Sequence, residues 1–224
     1  MVGNGGIITN GLIFSTDPLN AKSNSNNTNI YDLTSYNSNG VFNNGASASN
    51  RYFFLDGIDD YLSFTGNILC PTNRLTIGIW AKYLNHSTYG PLVFKYNGNP
   101  SYFEGYTLAV TSGGVQLAIG NGTYNEYTLN YGNYTNQLVY YTGVFDLPNS
   151  RLLVYVNGQQ VDQNLSITQT TFTNDFTSTL NIGYSNPAFS GYFGGYVYDI
   201  HLYNRVLSPS EILSNYNNLK WKFI

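Results

Sequence analysis

The stretch that decides the fold is Leu75-Thr76-Ile77-Gly78-Ile79-Trp80-Ala81-Lys82-Tyr83, because its side chains alternate between two sets. The first set is Leu75, Ile77, Ile79, Ala81 and Tyr83, and the second is Thr76, Gly78, Trp80 and Lys82. Consecutive residues of a β-strand point to opposite faces of a sheet, so one set of such a run covers a core. The same period of two recurs at residues 115–119, 152–156 and 196–203. Further strand candidates lie at residues 11–15, 52–56, 60–64, 91–96, 106–110, 138–146 and 180–184. We expect the core to contain or border Ile77, Trp80, Val154 and Ile200.

The run at residues 196–203 predicts one strand with two different faces. Alternation places one set on one face and the other set on the opposite face. The first set is Tyr196, Tyr198, Ile200 and Leu202, and the second is Val197, Asp199, His201 and Tyr203.

Turn signals separate the strand candidates. The pair Asn-Gly occurs seven times, for example at Asn157-Gly158, and both residues tolerate the positive φ that a two-residue hairpin turn requires. Many short strands joined by such turns are typical of antiparallel sandwiches and barrels. Residues 17–50 are rich in Ser, Asn and Gly and predict a long loop. The sequence thus predicts an all-β protein.

One helix is predicted near the end of the chain. Ser208-Pro209-Ser210-Glu211 has the form of a capping box with Pro at the first helical position. Ile212, Leu213 and Tyr216 supply an apolar stripe, and Asn217-Asn218 predicts the end of the helix.

These signals divide the chain into three parts. We predict a flexible N-terminal arm at residues 1–10, one domain at residues 11–217 and a C-terminal tail at residues 218–224. In the tail, Leu219, Trp221 and Phe223 alternate with two lysines, which predicts a strand-like segment with one apolar face. Two places for it remain open: its own domain, or a neighbouring subunit.

Composition excludes several classes of partner. The 224 residues carry 12 acidic and 9 basic side chains, a net charge of −3, and only 9% are charged. A basic footprint for nucleic acid is missing, and no apolar run reaches the ~20 residues of a membrane-spanning helix. We therefore expect neither a nucleic-acid nor a membrane partner. With 17% aromatic residues, the chain has ample surface to bury.

Four segments carry motifs of one kind of domain: Phe54-Leu55-Asp56-Gly57-Ile58-Asp59-Asp60-Tyr61-Leu62, Leu75–Trp80, Val154-Tyr155-Val156-Asn157-Gly158-Gln159-Gln160-Val161, and Tyr198 through Ile212. Together they resemble the laminin-G-like branch of the concanavalin A-like lectin/glucanase superfamily. The resemblance implies a jelly-roll sandwich of two antiparallel sheets, which agrees with the alternation.

The opening of the chain resembles the start of such domains in tailed-phage virion proteins. The residues that carry this likeness are Gly11-Leu12-Ile13-Phe14, Ile30-Tyr31-Asp32-Leu33-Thr34 and Asn43-Asn44-Gly45. It implies a non-enzymatic structural or interaction subunit of a phage virion, such as a head decoration, fibre or tail-associated protein. Its partners would be other virion proteins or a second copy in a homo-oligomer. We would then expect assembly in the host cytoplasm and exposure on the particle.

The sequence offers little for catalysis. Glycoside hydrolysis needs two carboxyl groups at a set separation, but the three glutamates, Glu104, Glu126 and Glu211, are far apart in sequence. The only histidines, His86 and His201, lie in no recognisable nucleophile context. We therefore predict that the protein is not an enzyme.

The resemblance also implies a structural Ca²⁺, held by an Asp on the terminal strand and by loop oxygens. Asp199 matches that position, and Asp32 in the early loop is the second candidate ligand. Calcium takes six to eight oxygen ligands, which Asn- and Gly-rich loops supply readily. The alternative is that Asp199 only hydrogen-bonds to backbone at the end of a strand.

Surface tyrosines suggest a second function, carbohydrate binding in adhesion to a host-surface glycan. Flat aromatic faces stack on sugar rings, while Asn side chains donate and accept hydrogen bonds. The densest patch contains Tyr124, Tyr127, Tyr131 and Tyr134, interleaved with Asn125, Asn130 and Asn133. Tyr and Asn are also enriched in protein interfaces, so the patch fits both functions.

Overall fold

The computed structural model describes residues 6–25, 28–84, 89–96, 104–112, 114–121, 125–172, 178–185 and 191–223. Most of the secondary structure in these ranges is β-strand, as predicted. In chain order the strands are β1 (Leu12–Thr16), β2 (Asn24–Ser25), β3 (Asn29–Ile30), β4 (Gly40–Asn43), β5 (Ser47–Ala48), β6 (Phe53–Asp56), β7 (Tyr61–Phe64), β8 (Arg74–Tyr83), β9 (Tyr89–Tyr96), β10 (Glu104–Thr111), β11 (Gly114–Asn121), β12 (Asn125–Tyr131), β13 (Leu138–Asp146), β14 (Arg151–Val156), β15 (Gln159–Asn164), β16 (Leu180–Ile182) and β17 (Gly194–Tyr203).

The strands form two antiparallel sheets, which is the predicted jelly-roll sandwich. Sheet A has the order β15-β14-β13-β8-β17-β6-β5, and β1 also pairs with β17. Sheet B has the order β12-β11-β10-β9-β16-β7-β4-β3-β2. Between β14 and β15, Asn157 and Gly158 have φ of 51° and 80°, as a two-residue hairpin turn requires.

The main core lies between the two sheets. Ile77, Val154 and Ile200 are fully buried in it, as expected. Trp80 is equally buried but borders the core from the opposite side: it lies on the outer face of sheet A, with Tyr140 and Leu219.

The early segment is more regular than the sequence predicts. Residues 17–50 contain the short strands β2 to β5, so the prediction of one long loop is wrong there. β4 pairs with β7 in sheet B, and β5 pairs with β6 in sheet A. Pairing with strands later in the chain orders this polar segment, and its own periodicity gives no sign of that pairing.

A β-bulge interrupts β17. Val197 pairs with Ala81 and Asp199 pairs with Trp80, so Tyr198 is the additional residue. The predicted faces of residues 196–203 are therefore wrong in part. Val197 joins Ile200 and Leu202 in the core, whereas Tyr198 packs on the outer face of sheet A. A bulge shifts the alternation of side chains by one residue, and alternation alone cannot reveal it.

The helix α1 (Pro209–Leu219) covers the outer face of sheet A. The predicted capping box is present: the Glu211 amide donates to Ser208 Oγ, and the Ser208 amide donates to Glu211 Oε2. Arg205 donates two hydrogen bonds to the same carboxylate, and these bonds lower the pKa of Glu211 to about 2. The strand end is thus joined to the start of the helix.

The predicted end of the helix and the strand-like tail are wrong. The helix includes both Asn217 and Asn218, and Lys220–Lys222 continue it as a 3-10 helix. Leu219 is buried against Trp80 and Tyr140. Contact with the outer face of sheet A therefore extends the helix past the asparagines.

Replacement of Ile77 tests the placement of the core. The change Ile77→Ala removes buried methyl groups from β8 and should lower the free energy of unfolding by about 2–5 kcal/mol, measured by urea denaturation. The matched control is Ile58→Ala, because Ile58 is 74% exposed; it should change the free energy of unfolding by less than about 0.5 kcal/mol. Equal midpoints for the two variants would contradict the assignment of Ile77 to the core.

Candidate functional site

Asp32, a predicted calcium ligand, is buried beside β1 and is surrounded by hydrogen-bond donors. Its Oδ1 accepts from the amides of Ser15 at 3.1 Å and Thr34 at 3.0 Å. Its Oδ2 accepts from the Thr34 hydroxyl at 2.7 Å and from the Ser38 amide at 3.0 Å. Both oxygens are engaged by the chain itself, so the carboxylate stabilises this loop.

Asp199, the other predicted ligand, faces a lysine from the tail. Lys222 Nζ lies 3.4 Å from Asp199 Oδ2 and 3.0 Å from Asp17 Oδ2. Burial lowers the pKa of Lys222, but the carboxylates of Asp199 and Asp17 outweigh that effect and hold it above its ordinary value. The ammonium group is therefore the cation that compensates these two carboxylates.

These two environments do not fit a shared Ca²⁺ site. Calcium needs six to eight oxygens free to coordinate it, whereas Asp32 is bonded to backbone and hydroxyl donors and Asp199 is paired with Lys222.

A cavity of about 350 Å³ opens beside this ion pair, between β17 and the C-terminal segment. We call it the tail pocket. It is lined by Gly6, Ile7, Ser15, Asp17, Leu33, Asp199, His201, Asn218, Leu219, Trp221 and Lys222. His201 Nε2 lies 2.9 Å from Asp199 Oδ1, and both side chains are nearly fully buried.

The C-terminal segment packs on its own domain. Phe223 contacts Trp80 and Tyr198, with ring centroids 5.4 and 5.2 Å apart. Residues 6–8 lie beside it, because the Ile8 amide donates to Asn215 Oδ1 and Asn218 Nδ2 donates to the Gly6 carbonyl. In contrast, Trp221 is 63% exposed. Of the two places left open for the tail, the structure shows contact with its own domain.

The predicted tyrosine patch is only partly described. Tyr127 on β12 is 56% exposed. Tyr131 lies four residues further along the same strand, but its side chain and the whole of Tyr124 lie outside the described residues. Tyr134 is half-buried: its ring packs against Tyr141, and its hydroxyl donates to Asn130. Tyr127 is thus the member of the patch that the structure shows exposed, and Tyr134 packs inward.

A second aromatic cluster, which the sequence analysis missed, lies on the outer face of sheet A. We call it the aromatic shelf, and it consists of Tyr52, Phe54, Tyr196 and Tyr198. Ring centroids are 4.6 Å apart for Tyr52–Tyr196, 5.5 Å for Phe54–Tyr196 and 5.8 Å for Tyr52–Tyr198. A depression of about 360 Å³ adjoins the rings, between them and Ser47, Ala48 and Ser49. Alternation in the sequence places Tyr196 and Tyr198 on one face, but it places Ile200 of the core on that face too. The bulge in β17 separates them and turns the tyrosine face outward.

Two cationic residues border the aromatic shelf. Lys82 pairs directly with Tyr196 across β8 and β17, so the two side chains are neighbours on the same face. Burial raises the pKa of Tyr198, and nearby Tyr52 and Tyr196 add to this effect, whereas the charge of Arg51 opposes it. The shelf thus combines flat apolar rings, hydroxyl groups and positive charge.

The acidic residues of the turn 56–60 have structural partners. Carboxylate oxygens of Asp56, Asp59 and Asp60 lie within 4.8 Å of one another. Asp56 Oδ1 accepts from the amides of Ile58 and Asp59, and Asp60 Oδ2 accepts from the Asp56 amide. These hydrogen bonds join the carboxylates of Asp56 and Asp60 to backbone amides and thereby hold the turn.

The residues considered for catalysis are dispersed. Glu104 begins β10 in sheet B, whereas Glu211 caps the helix on sheet A. His86 and the side chain of Glu126 lie outside the described residues.

In the described ranges, no helix is long and apolar enough to cross a membrane.

The fold agrees with the comparison to known families. A family profile described as "Concanavalin A-like lectin/glucanases superfamily", of the laminin-G type, matches residues 56–213. The chain belongs to this family. No curated protein matches it in sequence.

Solved structures show the same fold at low sequence identity. The binding domain of botulinum neurotoxin DC in complex with SialylT is 15% identical, with a TM-score of 0.72 over 93% of this chain and 52% of that one. The ligand-binding domain of serotype D in complex with N-acetylneuraminic acid is 15% identical, with a TM-score of 0.70 over 92% and 50%. The DC binding domain in complex with rat synaptotagmin II is 14% identical, with a TM-score of 0.72 over 93% and 52%. The chain therefore spans about half the length of these proteins.

Two aromatic residues of the tail should differ in their effect on stability. Phe223→Ala removes a ring that packs on Trp80 and Tyr198, and should lower the free energy of unfolding by about 1–3 kcal/mol. Trp221→Ala removes an exposed ring and should change it by less than about 0.5 kcal/mol. Chemical denaturation of both variants measures this. A larger loss in Trp221→Ala than in Phe223→Ala would contradict the placement of the tail.

Proposed function

We propose that this protein is a non-catalytic carbohydrate-binding module that holds an acidic sugar on the aromatic shelf. The observation that carries the proposal is the contact of Tyr52, Phe54, Tyr196 and Tyr198 rings on one face, bordered by Lys82 and Arg51. Aromatic faces offer apolar surface to the C–H groups of a pyranose ring, and tyrosine hydroxyls exchange hydrogen bonds with sugar hydroxyls. Cations beside the rings favour a carboxylated sugar.

The family and its structural relatives support this proposal. The chain belongs to a lectin and glucanase superfamily. Among proteins with this fold, two were solved as binding domains in complex with SialylT and with N-acetylneuraminic acid. At this level of identity the likeness extends to the fold alone, so the acidic ligand rests on the chain's own residues.

Calorimetry with 3′-sialyllactose and lactose tests the proposal. We expect the sialylated sugar to bind more tightly, because it alone carries a carboxylate for Lys82 and Arg51, and its affinity to fall with added salt. Tyr52→Ala and Lys82→Gln should each weaken binding about tenfold, the loss of one stacking or charge-assisted contact, while Lys82→Arg should retain most of it.

Tyr127→Ala separates the shelf from the tyrosine patch that the sequence predicts. It should leave sialyllactose binding unchanged if the shelf is the site. If Tyr127→Ala weakens binding and Tyr52→Ala does not, the site is the tyrosine patch. If neither sugar binds, or both bind equally, the proposal for an acidic glycan fails.

We propose in addition that the module is a structural subunit of a phage virion. The likeness of residues 11–14, 30–34 and 43–45 to the openings of virion domains supports this. Asp32 lies within that opening, and its hydrogen bonds to Ser15, Thr34 and Ser38 tie its parts together. A glycan site on such a subunit would serve adhesion to the host surface, and partner proteins or a second copy would hold it on the particle.

Fractionation of phage particles tests the virion role. We expect antibodies against this protein to detect it in particles purified by density-gradient centrifugation from cells that express it. It should remain bound in high salt, because a chain with 9% charged residues offers little for electrostatic attachment. Recovery of the protein only in the soluble fraction would overturn this role and leave the glycan proposal intact.

A further inference from the structure

The tail pocket has the form of a ligand site that is separate from the aromatic shelf. Its floor is formed by Asp199 and His201 of β17, and Asp17 and Lys222 form one wall. Trp221 also lines the cavity, and 63% of its surface is exposed. The volume of about 350 Å³ lies at the small end of ligand pockets and suits one sugar ring.

Two buried polar atoms on the floor of the tail pocket lack a full set of partners among the described residues. Nδ1 of His201 has no hydrogen-bond partner. Oδ1 of Asp199 has only the contact with His201 Nε2, at 2.9 Å. Most buried polar groups in folded proteins are paired, because an unpaired group loses its hydration without compensation. These two atoms therefore indicate a ligand whose hydroxyl groups would supply the missing hydrogen bonds.

The charge of the tail pocket selects the class of ligand. Asp17 and Asp199 contribute two carboxylates, and Lys222 contributes one ammonium group that already contacts both. A carboxylated sugar would meet net negative charge here, in contrast to the shelf with Lys82 and Arg51. The pocket thus favours an uncharged ligand whose hydroxyls donate to carboxylate and imidazole acceptors.

We propose that the tail pocket binds an uncharged pyranose. Sugar hydroxyls would pair with Asp199 Oδ1 and His201 Nδ1, and one face of the ring would lie against the indole of Trp221. Ser15 and Lys222 supply further polar groups along the wall. This site is independent of the acidic-sugar site on the shelf, and neither needs the other to bind.

Tryptophan fluorescence gives a direct measurement of this site. The chain has two tryptophans: Trp80 is fully buried and stacked on Tyr216, whereas Trp221 is exposed. The probes are the methyl glycosides of glucose, galactose, mannose and N-acetylglucosamine. At least one should change the emission of Trp221 in a saturable way, and free N-acetylneuraminic acid should not. Trp221→Phe should lose the emission change and retain binding in calorimetry, because Phe keeps an aromatic face.

Two variants decide whether binding occurs in the tail pocket. Trp221→Ala and His201→Gln should each weaken the affinity for the bound glycoside about tenfold, as expected for the loss of a central contact. Ile58→Ala, a change of an exposed residue outside the site, should leave it unchanged. Thermal denaturation of His201→Gln checks that the variant is folded, and Trp221→Ala repeats the test without altering a buried residue.

The proposal fails if none of the four glycosides binds, or if binding is equal in the wild type, Trp221→Ala and His201→Gln. The shelf is tested with a different ligand, sialyllactose, and a different variant, Tyr52→Ala. Failure of one site is therefore distinguishable from failure of the other.

Discussion

The β-bulge in β17 is the feature on which both proposed binding surfaces depend. β17 pairs with β8, β6 and β1, so its register determines which side chains face each side of sheet A. With Tyr198 as the additional residue, Val197 and Ile200 both reach the core, while Tyr198 and Asp199 both lie on the outer face. Strict alternation could keep only half of this arrangement. With Ile200 in the core it would direct Tyr196 and Tyr198 inward, and with Val197 in the core it would direct Asp199 inward, where an unpaired carboxylate is costly. The bulge instead places the aromatic shelf and the tail pocket side by side.

Much of the fold could be predicted from the sequence because local patterns and the final structure agree in most strands. Residues 75–83 keep strict alternation throughout β8, and Asn157-Gly158 adopts the turn that its residue types favour. The capping box of α1 is a local hydrogen-bond pattern that needs no tertiary contact. The predictions that were wrong are those decided by distant residues. Leu219 extends the helix because it packs on Trp80, and β4 and β5 form because β7 and β6 are there to pair with them.

The candidate sites were harder to predict for the same reason. Asp199 was a candidate because the family resemblance implies an Asp at that position, but the group that faces it, Lys222, comes from the tail. The shelf joins residues 52–54 to residues 196–198, which only sheet pairing brings together. Tyr134 has a sequence neighbourhood much like that of Tyr127, yet it packs inward against Tyr141. A count of aromatic residues therefore locates neither site, since the exposed face of each ring is a tertiary property.

The two surfaces differ in charge although they share one face of sheet A. Tyr198 connects them physically: its ring contacts Tyr52 of the shelf at 5.8 Å and Phe223 of the tail at 5.2 Å. Cations border one end of this continuous aromatic surface, and carboxylates dominate the other. If both proposals hold, a glycan with an acidic terminus and uncharged inner sugars has only one favourable orientation across the face, because its reverse would place the carboxylate beside Asp17 and Asp199. A single glycan that occupied both sites would also bind the second site at a raised effective concentration, because the first contact holds it nearby. On the two proposals together, charge separation on one sheet face would be sufficient to give direction to binding in a protein with only 9% charged residues.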